Sequence, residues 1–414
     1  MLSLRKPQSI QGIYLYLILG NTLAASFIWG INTIFLLDAG LSNFQAFMAN
    51  AAFTAGQVIF EVPTGVVADA FGRRASYLLG AITLMISTLL YLFMWQIRGP
   101  FWGWAASSVL LGLGFTFFSG ALEAWLVDAL HATNFQGSLE GVFAKGQMVG
   151  GAAMLTGSVL GGVIAQFTNL GVPYILRSLI LLINFGTAFF LMKDLGFTPM
   201  RSKTPLKEMK KIFSSSIEHG LKNPPVRWIM LAAPFTTGVS FYIFYALQPF
   251  LLKLYGDEKA YTIAGLIAAL VAVAQITGGF MAPKLKKLFS KRTSALLLGT
   301  FLTGLILILV ANINNFWIVL VLIFLWGLIF AALSPIRQAY LNGIIPSQQR
   351  ATVLSFDALM GSSGGIVTQP ILGKVADVWS YPASYGIAAL FQWGALPFIY
   401  LARREKPKSD DINA

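Results

Sequence analysis

The stretch GVVADAFGRR, residues 65–74, lies between two long apolar runs and is echoed once in the second half of the chain. Gly65 and Asp69 are one helical turn apart on one face, Gly72 permits a sharp reversal, and Arg73 and Arg74 follow at once. Such a string reads as a tight turn between two membrane helices. Its surroundings agree: of 414 residues 56% are hydrophobic and only 11% charged, with a mean hydropathy of +0.71. These values lie outside the range of ordinary soluble domains. Apolar runs of about 20 residues predict twelve spans, near 12–37, 44–68, 75–97, 101–130, 139–166, 173–194, 227–254, 260–282, 293–312, 315–341, 351–378 and 383–402.

The net charge of +13 is a matter of topology, not a nucleic-acid footprint. Basic residues gather before the first span (Arg5, Lys6), at Arg73 and Arg74, between residues 201 and 227, from Lys284 to Arg292, and after the last span (Arg403, Arg404, Lys406, Lys408). The opposite loops offer little beyond Arg98, Lys253 and Lys259. The positive-inside rule therefore predicts both termini and the central loop in the cytoplasm. The first apolar run is long enough to span and lacks a small-residue cleavage site, so a retained helix is expected. Absence of N-glycosylation acceptors and short outer loops fit a bacterial cytoplasmic (inner) membrane.

Shifting the chain by 214 residues lays GLIAALVAVAQITGGFMAPKLKK over the segment that ends in the opening stretch, so that Glu61 meets Gln275, Gly65 meets Gly279 and Arg73 meets Lys287. A shift of 215 pairs EAWLVD (123–128) with QAYLNG (338–343), and Asp38 with Lys253. Such nearly equal offsets predict an all-α integral membrane protein of two pseudo-symmetric six-helix halves, 1–194 and 227–414. Residues 195–226 between them read as an amphipathic cytoplasmic linker, with Thr204 as N-cap, Pro205 in the first turn, and Leu206, Met209, Phe213 and Ile217 on one face.

With twelve spans, two halves and a long central loop, GxxxDxxGRR after the second span resembles the signature of the major facilitator superfamily; Ala70 stands where that family usually has arginine. The resemblance implies a transporter working by alternating access and a gating cluster of Asp69, Arg73 and Asp128. In the fifth span AMLTGSVLGG (153–162) resembles the GxxxGPxxGG signature of the drug-exporting branch, with Ala153 and Ser158 as departures. It tilts the expected direction toward export. The fourth span reads LLGLGFTFFSG (110–120), without the arginine that many proton-coupled members carry there.

Ionisable groups in a span need a reason to persist. Glu61 lies two turns inside Asp69 on the same face, about 12 Å deep at 1.5 Å per residue, and Glu123 lies in the fourth span. Their repeat partners, Gln275 and Gln338, are neutral. Low-dielectric surroundings favour the neutral carboxyl, so both are candidate proton-coupling residues, with Lys145 in the fifth span as a possible neutralising partner of Glu123. Asp38 and Lys253 end the first and seventh spans and are predicted to attract when the outer gate is closed. The resemblance draws a substrate cavity from the first, fourth, seventh and tenth spans, which supply Trp29, Asn32, Trp125, Tyr242, Tyr245, Gln248, Trp326, Arg337 and Gln338. Aromatics with amides suit a large, partly apolar ligand; Arg337 would instead fix an anionic group or pair with Glu123.

The expected function is proton-coupled export of an amphipathic small molecule by a monomer in the bilayer, with uptake of a metabolite or organic anion as the alternative. No cysteine and two histidines argue against a metal site. No GxxxxGK[ST] string supports ATP coupling. No HExxH and no serine–histidine pairing support an enzyme, and no cofactor is expected.

Overall fold

A computed structural model describes residues 6–198, 210, 214, 217–286, 288–346 and 349–412. Most of the linker, including Thr204, Pro205, Leu206, Met209 and Phe213, lies outside the described residues; Ile217 opens a single π-helical turn, Ile217–Leu221. The described residues form helices in every predicted span: α1 Pro7–Trp29, α2 Asn32–Asp38, α3 Asn43–Phe71, α4 Arg73–Gln96, α5 Phe101–Phe118, α6 Ala121–Ala132, α7 Leu139–Phe167, α8 Val172–Leu191, α9 Pro224–Tyr255, α10 Tyr261–Lys286, α11 Arg292–Asn312, α12 Phe316–Asn342, α13 Arg350–Val378, α14 Tyr381–Trp393 and α15 Leu396–Arg404. Helices are what a chain in lipid must form, because every backbone donor and acceptor is then satisfied within its own segment. Eleven of the spans meet the length and hydropathy of a membrane crossing. The twelfth, α13, is long enough but less apolar, carrying Asp357, Lys374 and Asp377.

Three spans are interrupted where one helix was expected. The first breaks at Gly30–Ile31, the fourth at Ser119–Gly120 and the last at Gly394–Ala395. Gly120 has a φ of 68°, a conformation that side chains with a Cβ disfavour, so α5 stops and α6 restarts with its first amides released from the ladder.

The chain forms two compact units. Unit 1 holds residues up to 40, 55–208 and 259–269; unit 2 holds 41–54, 209–258 and 270–414. The second and eighth spans, α3 and α10, are thus each divided between units. In each unit the helix ends bearing the basic residues are called the basic side, and the opposite ends the far side.

In unit 1, α1 packs along α7 and α8, and α4 along α5 and α8. Toward the basic side its core joins Tyr14, Leu17, Tyr77, Leu122, Trp125, Leu126 and Val142. Unit 2 repeats the plan, with α9 along α13 and α11 along α12 and α14, around Ile229, Met230, Leu296, Ile336, Tyr340 and Val353. Since lipid is as apolar as these side chains, the helices are held by close packing and by polar contacts rather than by exclusion of water. One such contact recurs at the 215-residue offset. Arg177 Nε donates to Thr88 Oγ1 at 3.0 Å in unit 1, and Gln392 Nε2 donates to Thr303 Oγ1 at 3.1 Å in unit 2. The same bond in both copies supports the duplication read from the sequence.

A second device is also duplicated. Beyond α8, Asp194 turns back to accept the Arg74 amide at 2.9 Å, capping α4. Beyond α15, Asp410 accepts the Thr293 amide and hydroxyl, both at 2.8 Å, capping α11. Exposed apolar side chains elsewhere face lipid, and large aromatics mark the far-side ends: Trp102, Phe167, Trp317 and Trp379 are each at least two-thirds exposed.

Candidate transport and gating residues

At the opening turn Gly72 adopts a φ of 104°, and a Cβ there would overlap the Asp194 carboxylate. The reversal therefore needs glycine twice over, for conformation and for space. Arg73 Nη1 pairs with Asp69 Oδ1 at 2.8 Å, one turn back along the chain, and lies over the Phe197 ring. Arg74 donates from its guanidinium to the Phe189 carbonyl. Asp128, the third expected member of the gating cluster, is half-buried on α6 and forms no ion pair with Arg73. A second carboxylate against this turn, beside Asp69, is Asp194, which the sequence reading did not single out.

Glu61 meets the break in the fourth span. Ser119, the residue at which α5 stops, donates its hydroxyl to Glu61 Oε1 at 2.7 Å. Among the described residues no cation lies within ion-pair distance of that carboxylate. Glu123 sits in the first turn of α6, where the helix dipole and released amides favour an acid. It is half-buried, whereas Lys145 is exposed and forms no ion pair with it. Nearby hydrogen bonds of α1, α4 and α8 meet at Asn21, whose Oδ1 accepts from Tyr77 at 2.7 Å and from Asn184 at 2.9 Å.

In unit 2, Arg337 is not free. Its two terminal nitrogens donate to the two oxygens of Asp357, each at 2.6 Å, and one also reaches the Ile229 carbonyl at 3.3 Å. Asp357, only 6% exposed, was not among the expected site residues. Arg337 borders a cavity of about 140 Å³ whose polar lining also includes Thr236, Thr237, Thr300, Ser334 and Gln392. Arg337 thus has a partner in its own unit rather than Glu123. A fork-to-fork pair of this geometry is strong and directional, and it leaves little of the guanidinium for another anion.

The remaining expected residues fall into three groups. Trp125 and Tyr242 are enclosed in helix packing: the Trp125 indole donates to the Lys193 carbonyl at 2.7 Å, and the Tyr242 hydroxyl bonds Ser384. Asn32 accepts from Tyr174 at 3.1 Å and Asp38 from Trp95 at 2.8 Å, while Trp29 ends α1 beside the break. Gln248 Nε2 and Trp326 Nε1, in contrast, are buried donors with no acceptor among the described residues. Tyr245 is half-buried, and Gln338 and Lys253 are exposed. The glycine-rich run of α7 marks close approach: a Cβ at Gly161 would overlap the Phe27 carbonyl, and one at Gly162 would meet Tyr261 and Gly265.

The sequence profile of the Major Facilitator Superfamily matches residues 15–289 and 259–414. The chain belongs to the Major Facilitator Superfamily. Members with similar sequences include the multidrug resistance protein MdtG of Proteus mirabilis, 27% identical over 338 residues that cover 80% of this chain and 77% of that protein. The MFS-type transporter YxaM of Bacillus subtilis is 24% identical over 406 residues, covering 92% of each. Among solved structures, the nucleoside transporter NupG aligns with a TM-score of 0.76 at 12% identity, covering 95% of this chain and 99% of that one. A bacterial homologue of the lysosomal transporter Spinster aligns at 0.71 with 15% identity over 99% of both. Identities this low attest to the fold alone. As a member of the superfamily the chain is a multi-pass membrane transporter, and its substrate class is a small molecule.

Proposed function

We propose that this transporter exports amphipathic small molecules in exchange for protons across a bacterial cytoplasmic membrane, with both termini and the basic loops in the cytoplasm. The observation that carries the coupling is the Glu61–Ser119 contact. A carboxylate inside a span whose partner is a hydroxyl, not a cation, can be neutralised by a proton without leaving an unpaired positive charge behind. Ser119 can donate to the ionised acid or accept from the neutral one, so both states are served at one place. The break at Gly120 gives the span a joint beside the acid, and Glu123 stands one turn further on.

The direction of transport rests on two supports. Relatives named multidrug resistance proteins align over about four-fifths of the chain, and the glycine run of α7 resembles the exporter signature. The donors of Gln248 and Trp326, without an acceptor among the described residues, suit a ligand with acceptor oxygens set in apolar rings. Uptake of an organic anion held by Arg337 is the weaker reading, because Asp357 already neutralises that guanidinium.

The test is flux in proteoliposomes under an imposed pH gradient, with candidate substrates chosen by thermal-shift screening. Glu61→Gln should abolish gradient-driven flux while leaving exchange of substrate against substrate. Glu123→Gln separates the two acids. Undiminished gradient-driven flux in both variants overturns the coupling, and accumulation of substrate on the cytoplasmic side overturns the direction.

A further inference from the structure

The far-side start of α3 is held by an acid from a distant helix. Asn43 and Phe44 open α3 with amides that have no acceptor within it. Both donate to Asp377 near the end of α13, at 2.9 Å and 2.8 Å, one to each carboxylate oxygen. The Tyr381 hydroxyl bonds Asn43 Oδ1, and the Phe47 ring lies 4.9 Å from that of Tyr242. Gly373 lets the two backbones meet, since a Cβ there would come within 2.7 Å of the Phe47 ring and 3.1 Å of the Asn43 carbonyl. These contacts place residues 41–54 in unit 2, although the rest of α3 belongs to unit 1.

Its repeat counterpart is anchored differently. The first turns of α10, within 259–269, belong to unit 1, where Gln166 near the end of α7 accepts the Thr262 amide at 3.3 Å. One anchor is therefore a carboxylate with two short bonds aligned with a helix dipole, and the other is a neutral amide with one long bond.

We propose that Asp377 is the catch that keeps the start of α3 seated on unit 2, and that the Gln166 anchor holds the start of α10 on unit 1 far less firmly. Release of the start of α3 on the far side then begins with loss of the two Asp377 bonds. Seating by Asp377 depends neither on a proton gradient nor on a particular direction of transport.

The chain has no cysteine, so Ala49→Cys, buried at 0% exposure in the seated segment, supplies a unique thiol. Its labelling from the far side by a membrane-impermeant maleimide reports unseating, with no substrate present. Adding Asp377→Ala should speed labelling about fivefold, the size of a typical N-cap loss; Asp377→Asn, which keeps one acceptor, should act in the same direction but less. Gln166→Ala should change the rate less than about twofold. If Asp377→Ala fails to fold, Asp377→Asn carries the comparison. Unchanged labelling in Asp377 variants that elute and melt as the parent does, or an equal effect from Gln166→Ala, overturns the proposal. Because the readout is seating and not flux, its failure is distinct from a failure of proton coupling.

Discussion

Replacing Arg177 with glutamine would give unit 1 the side chain that unit 2 already uses at the equivalent place. Arg177 is 2% exposed, and among the described residues it forms no ion pair with a carboxylate. Its contacts are the Thr88 hydroxyl at 3.0 Å, the Ala24 carbonyl at 3.4 Å and the Phe115 ring at 5.8 Å. An arginine costs about 2.5–3.5 kcal/mol at the centre of a span and less toward its ends. Arg177 lies five residues, about 7.5 Å, from the start of α8, so about 1–2 kcal/mol is a fair figure. Glutamine keeps the threonine bond, as Gln392 does with Thr303, and forgoes one long hydrogen bond and one cation–π contact, together about 1–2 kcal/mol. The two sides nearly cancel. Thermal unfolding of purified Arg177→Gln should shift by no more than about 3 °C, whereas Arg177→Ala, which leaves a void and a deserted Thr88, should lose about 3 kcal/mol. Since a charge kept in a span without structural return is there for function, transport by the glutamine variant should fall at least about tenfold. Glutamine as disruptive as alanine would refute the accounting, and wild-type transport by the glutamine variant would refute the functional role.

Five other substitutions test the clamps and the buried pair. Arg337→Leu alone should destabilise unit 2 by about 3–5 kcal/mol, and Arg337→Leu combined with Asp357→Leu by much less, because the single change strands a buried charge; thermal unfolding of the three proteins measures the difference. Asp194→Ala and Asp410→Ala should each cost about 1 kcal/mol, equally within error, as judged by chemical denaturation in detergent. Gly72→Ala should cost more than either, since it forces a positive φ and displaces the Asp194 cap together, and a melting temperature equal to that of Asp194→Ala would count against that coupling.

The spans were legible because a membrane demands long apolar segments, and their ends fell within a few residues of the helices. The duplication was legible from three offsets, and Thr88–Arg177 with Thr303–Gln392 adds a fourth at the same spacing. The breaks were not. Glycine is common in membrane helices, so Gly120 gave no warning that its φ would reverse, or that Ser119 would be delivered to Glu61. Asp357 was hidden for a different reason: a lone acid in a glycine- and serine-rich stretch has no periodic signature, and its partner lies 20 residues earlier on another helix. Asp194 and Asp410 read as ordinary charges just past a span, because capping is decided by where a chain turns back. Aromatic content alone could not separate Trp125 and Tyr242, which pack into helix interiors, from residues open to a ligand.

The Asp410 cap also bears on how the protein can be handled. Ser409, Asp410 and Asp411 engage Arg292 and Thr293, and the Ile412 amide donates to Ser290 at 3.0 Å. A protein shortened to residue 405, by a protease or by design, would keep every helix named above and every residue suspected of touching cargo. It would nevertheless uncover the opening amides of α11, so loss of yield and heat tolerance in such a truncate would report on a missing fastener rather than on the transport pathway. Affinity tags belong beyond residue 412, behind a spacer.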